Sequence, residues 1–99
     1  MLPIIRVEKK PNTQQVIDFI NEIGGIWEIC EAHPEASQGV LAEGESWVGI
    51  DYFPDEEYEP GPLFELRIYG PNPRPLAEKF AAAAIEKWGG TAENLKLTA

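Results

Sequence analysis

Cysteine is nearly absent from this chain. Cys30 stands alone among 99 residues. A single thiol excludes an internal disulfide and fits a reducing compartment. Long hydrophobic runs are missing as well. No stretch approaches the ~18 apolar residues that cross a bilayer, so no membrane span is expected. The start, Met1-Leu2-Pro3-Ile4-Ile5-Arg6, has neither the basic opening nor the apolar stretch of a secretory signal. A cytoplasmic location is the expectation.

The third shortage is of cations. From Pro11 to Leu66 there is no Lys or Arg, while thirteen acids fall in that stretch. All eight basic residues lie outside it, and the net charge is −9. Nucleic acid and anionic membrane both need neutralising cations, so direct binding to either is not expected. Recognised catalytic signatures are missing too. There is no Gly-x-Gly-x-x-Gly, no Walker loop and no nucleophile elbow. Cys30 and His33 form Cys-x-x-His, but two ligands are too few for structural zinc. On a strand, positions three apart also face opposite ways, which separates the pair as a dyad. The acidic run from Asp55 to Glu59 lacks the alternating oxygen ligands and central glycine of a calcium loop. No metal, cofactor or catalytic residue is assigned.

What is present is organised around Ser46 to Tyr69. Two strand-like runs, Trp47 to Phe53 and Leu63 to Tyr69, flank the acidic loop Pro54 to Pro62. Phe64, Leu66 and Ile68 alternate with Glu65 and Arg67, the period-2 pattern of a half-buried strand. Val48, Ile50 and Tyr52 form the matching apolar set. A slip of one residue would turn a whole set to water, so the two sets share the core face. Two registers satisfy this. One places Asp51 opposite Glu65, a like-charge pair. The other places Asp51 opposite Arg67 and covers Gly49 with Tyr69, and it is the one expected. The outer face then carries Trp47, Phe53 and Tyr69 beside Asp51, Glu65 and Arg67.

Around this hairpin the remaining elements follow in order. Pro3 to Lys9 reads as a strand with Ile5 and Val7 on one side. Asn12, with Gln15 three residues on as a capping-box partner, reads as the cap of a helix through Val16, Ile20 and Ile23, with Thr13 as the alternative cap. Gly24-Gly25 ends it. Ile26 to His33 is strand-like, with Trp27 and Ile29 expected inside. Pro34 to Glu45 reads as a loop, with Gly39 to Ala42 as a short strand within it. Asn72 is the expected N-cap of a second helix, with Pro73 in its first position. Leu76, Ala77, Phe80, Ala81, Ala84, Ile85 and Trp88 form its apolar stripe, and Gly89-Gly90 stops it. Asn94 to Thr98 is the expected last strand.

The expected fold is α+β in one domain of 99 residues, 1–99. A small antiparallel or mixed sheet of about four or five strands carries both helices on one face, in the order β-α-β-β-β-α-β. A split βαβ arrangement with an added strand fits that order. The leading functional expectation is a small acidic interaction domain that docks on a basic surface of a partner protein. An inhibitor or immunity-type protein is its most concrete form. The candidate contacts are Trp47, Asp51, Phe53, Asp55, Glu56, Glu57, Tyr58, Glu59, Glu65 and Tyr69. The first alternative is a small-molecule-binding domain or enzyme with its site between sheet and helix. The second is a self-associating module, a homodimer through Trp47, Phe53 and Tyr69.

Overall fold

The computed structural model describes residues 1–33, 37–54 and 62–96. Among the described residues six strands and two helices follow in the order β1 (Ile4–Val7), α1 (Thr13–Glu22), β2 (Ile26–Glu28), β3 (Gln38–Glu43), β4 (Ser46–Phe53), β5 (Leu63–Tyr69), α2 (Arg74–Trp88) and β6 (Gly90–Glu93). The class is α+β, as expected, with one strand more than the upper estimate. The extra strand is β3, which pairs with β4 along five positions, Gly39↔Ile50 to Glu43↔Ser46. A two-residue turn, Gly44-Glu45, joins them. Gly44 sits at φ +60, a backbone setting that favours glycine and suits a tight hairpin.

The sheet order is β2-β3-β4-β5-β1-β6, and every neighbouring pair is antiparallel. β1 therefore lies between β5 and β6, which run parallel to each other and are joined through α2. That is a split βαβ unit. β1 and β2 are also parallel, joined through α1 across three intervening strands. Each helix thus leads into an edge strand, β2 or β6, of only three or four residues. Short edges offer little template for pairing with another chain.

Local signals explain the helices. Asn12 accepts from the Gln15 amide at 2.8 Å while the Gln15 side chain accepts from the Asn12 amide at 2.8 Å, a complete capping box. The second helix starts differently from expectation. Pro73, not Asn72, holds the cap position, with helical φ −81 and ψ −14 and no side-chain capping bond. Asn72 instead donates its backbone N–H to Ser46 Oγ at 2.8 Å, linking the start of β4 to the start of α2.

Both helices cover the same face and share one core. Ile5, Val7, Val48, Ile50, Phe64 and Leu66 from the sheet meet Val16, Phe19, Ile20, Leu76, Phe80 and Trp88 from the helices. Ala81 and Ala84 are fully buried and let α2 lie close to the strands. Phe19, Phe64, Phe80 and Trp88 pack with ring centroids 4.7–5.8 Å apart. Across the helix pair, Lys87 reaches Glu22 at 3.9 Å.

Several expectations need correction. β2 ends at Glu28, because its partner β3 begins at the paired Gln38 and nothing continues the ladder. Beyond it the chain turns, with His33 N–H donating to Cys30 O at 3.1 Å. Ile29, expected inside, is 68% exposed, while Trp27 packs against the core. Ile68 shares the core face but lines a concavity with Pro73, Arg74 and Ala77 at the start of α2 and is 45% exposed. The last strand is Gly90–Glu93, not Asn94–Thr98. Asn94 turns out of it at φ +61, and Leu97, Thr98 and Ala99 lie outside the described residues.

Candidate functional site

The uncovered face of the sheet is built by alternation. Gly39, Val48, Ile50, Phe64 and Leu66 point to the helices, so Gln38, Gly49, Asp51, Glu65 and Arg67 point away. The register of the central pair is Trp47↔Tyr69, Gly49↔Arg67 and Asp51↔Glu65. It is the like-charge alternative, not the expected one. The physical reason is diagonal reach. Arg67 need not stand opposite Asp51 to bind it: its Nε lies 3.1 Å from Asp51 Oδ2, and its Nη2 donates to Asp51 Oδ1 at 3.2 Å. The same Nη2 also donates to Gln38 Oε1 on β3. The Nε–H itself is buried and not aligned with the carboxylate for a hydrogen bond. Meanwhile Trp47 stacks on Tyr69 with centroids 4.0 Å apart and planes 17° apart. That pairing is worth ~0.5–1.5 kcal/mol beyond burial and is lost in the other register.

Gly49 is covered, though not by Tyr69. A β-carbon there would meet Gln38 Oε1 at 2.9 Å, Trp47 Cζ3 at 3.5 Å and Arg67 Nη2 at 3.7 Å. Trp47 therefore divides its surface between the glycine, Tyr69 and solvent.

The predicted contacts fall into two groups. Trp47 and Tyr69 sit at one end of the β4–β5 pair. Asp51, Glu65 and Phe53 sit toward the other, and Trp47 and Phe53 are separated by about 20 Å along the strand. Asp55, Glu56, Glu57, Tyr58 and Glu59 lie outside the described residues. Around the second group is a pocket of about 530 Å³ lined by Ser37, Gln38, Asp51, Tyr52, Phe53, Glu65 and Arg67. Asp51 is bound to Arg67. Glu65 is half-buried and makes no hydrogen bond or ion pair among the described residues. The pocket can thus accept a cation at Glu65, where a carboxylate has lost part of its hydration without gaining a partner.

Elsewhere on this face Arg6 is paired with Glu93 at 3.1 Å. Both outward arginines, Arg6 and Arg67, are thereby engaged by acids, while Glu28 and Glu65 keep their charge uncompensated by them. Tyr52 turns inward, stacks on Phe64 at 4.8 Å and donates its hydroxyl to Pro11 O. Among the described residues, no three His, Cys, Asp or Glu side chains gather as a metal site would need. No helix there is long and apolar enough to cross a membrane.

Gln38 was missed by sequence reasoning, because it lay in a stretch read as loop. Its signal was the outward alternation Gln38, Val40, Ala42 around the inward Gly39 and Leu41. A second concavity of about 360 Å³, lined by Thr13, Ile17, Trp27, Ile29, Ser37, Tyr52 and Pro54, was missed as well. It is assembled from α1, β2 and the end of β4, so no single stretch announces it.

Comparison with family models, with curated proteins and with solved structures finds no match to this chain.

Proposed function

We propose that this protein is a non-enzymatic interaction module that docks on a basic surface of a partner protein. The observation that carries the reading is the state of charge on the uncovered sheet face. Its two arginines are held by Asp51 and Glu93, Glu28 and Glu65 make no ion pair with them, and aromatic surface at Trp47 and Tyr69 lies at the other end of the β4–β5 pair from Glu65. Complementary fields steer such partners together, and desolvated aromatics supply the lasting contact. An inhibitor or immunity-type protein acting on a nucleic-acid-handling target fits this chemistry, because such targets are basic where they hold phosphates. A cytoplasmic setting suits the lone thiol of Cys30.

The test is affinity capture from native cytosol at low ionic strength, where charge-driven contacts are strongest. A specific partner that is released by salt and lost on Trp47→Ala is the expected result. Recovery of no partner under those conditions would sink the reading. The small-molecule alternative is supported by the concavity of about 360 Å³ between α1 and the sheet and by the pocket of about 530 Å³. The latter lies on the open face and not between sheet and helix, so a small ligand there would compete with the same docking event. Self-association through Trp47, Phe53 and Tyr69 is opposed by the net charge of −9 on each copy.

A further inference from the structure

The concavity of about 360 Å³ lies on the helix-covered side of the sheet, away from the docking face. α1 contributes Ile17, β2 contributes Trp27, and the end of β4 contributes Tyr52. Ile29 and Ser37 stand on the connection from β2 to β3. Tyr52 is fixed from two sides, since its ring stacks on Phe64 at 4.8 Å and its hydroxyl donates to Pro11 O. The lining chemistry sets this concavity apart. The open-face pocket holds Asp51, Glu65 and Arg67, and the concavity at the start of α2 holds Arg74. Among the described residues that line this one, none is charged at neutral pH. A charged ligand would shed hydration there without meeting a counter-charge. Trp27 is half-buried and packs against the core, yet its ring has no aromatic partner among the described residues. By contrast Phe19, Phe64, Phe80 and Trp88 stack among themselves, and Trp47 stacks on Tyr69. Ser37 Oγ accepts from the Cys30 N–H at 3.3 Å, which leaves the hydroxyl proton to donate.

We infer that this concavity binds a small, uncharged aromatic molecule that carries a hydrogen-bond acceptor such as a carbonyl. The ring packs against Trp27, between Ile17 and Ile29, and the acceptor meets the Ser37 hydroxyl. Mostly apolar walls with a few polar groups are the usual make-up of a small-molecule site. The volume sits near the lower end of the roughly 300–1,000 Å³ found for such sites, which suits a compact ring system. The uncharged lining selects against both anions and cations. The site is on the opposite side of the sheet from Trp47 and Tyr69, so its occupancy does not depend on the docking function.

The test titrates benzamide into isotopically labelled protein. Benzoate, benzamidinium and cyclohexanecarboxamide are close to it in size and serve as anionic, cationic and non-aromatic controls. The expected result is saturable amide shifts at Trp27, Ile29 and Ser37 with benzamide, and binding about fivefold weaker or worse for each control. Trp27→Leu should weaken benzamide binding about tenfold, and Ser37→Ala about threefold. Ile29 is 68% exposed, so Ile29→Asp keeps the fold and provides a reading even where Trp27→Leu lowers stability. It should weaken benzamide binding by about fivefold through lost apolar contact. Glu86→Gln, on the exposed side of α2, should leave binding unaltered. Thermal melts of each variant separate lost binding from lost structure. No saturation, an equal response to any of the three controls, or indifference to Ile29→Asp would overturn the inference. Loss of a captured protein partner on Trp27→Leu, with benzamide inert, would also overturn it, since the concavity would then seat a protein side chain.

Discussion

Phe80 has no exposed surface, and its ring meets Phe64 edge-on at 5.1 Å and Phe19 at 5.8 Å. Phe80→Ala should therefore cost about 3–5 kcal/mol in urea denaturation, through lost transfer energy and the cavity left behind. Trp47 makes the contrast. It is half-buried on the open face, so Trp47→Ala should cost only the Tyr69 stack and some burial, about 1–2 kcal/mol. A melt as deep as that of Phe80→Ala would place Trp47 in the core and remove it from the docking surface. Asp51 and Arg67 are partly exposed, so their coupling in a double-mutant cycle should be about 0.5–1 kcal/mol at low salt and shrink as salt rises. That pairing was legible in the sequence as a partnership, but its geometry was not. Pairing rules weigh residues directly opposite one another, whereas a long arginine reaches across the diagonal.

The elements differ in how local their causes are. The first helix is specified within its own residues, and Asn12→Ala should cost about 1 kcal/mol by opening both halves of the capping box, as read from thermal unfolding. Its seat on the sheet is specified elsewhere. A β-carbon on Gly39 would lie 2.3 Å from Ile20 Cδ1, so Gly39→Ala should force α1 away from β3. Overpacking of that kind costs about 1–3 kcal/mol. Gly49→Ala on the other face comes closer than ordinary contact only to the movable end of Gln38 and should cost less. Denaturant titration of the two variants side by side measures the difference. Strand ends were the least legible feature, because a strand lasts only as long as its neighbour. Ile26 to His33 reads as extended, yet only Ile26–Glu28 has a partner.

For the whole molecule, the consequence of charge is kinetic. Reversing Asp55, Glu56 and Glu57 to Lys should slow association with the captured partner and flatten its salt dependence, with little change in dissociation, as stopped-flow mixing would show. Composition and periodicity by themselves determined the α+β class, both helices, the shared core face of Val48, Ile50, Phe64 and Leu66, and the acidic stretch of fifty-six residues without a cation. Those follow from spacing and local propensity, which act over one or two turns or a few strand residues. Tertiary structure alone decided the register of β4 on β5 and the insertion of β1 between β5 and β6. It alone also decided the exposure of Ile29 and the meeting of Ile17, Trp27 and Tyr52 around one concavity. Each of these depends on competition between contacts distant in the chain. The stacking of Trp47 on Tyr69 and the diagonal reach of Arg67 together outweigh one pair of facing acids, and no local stretch carries that balance.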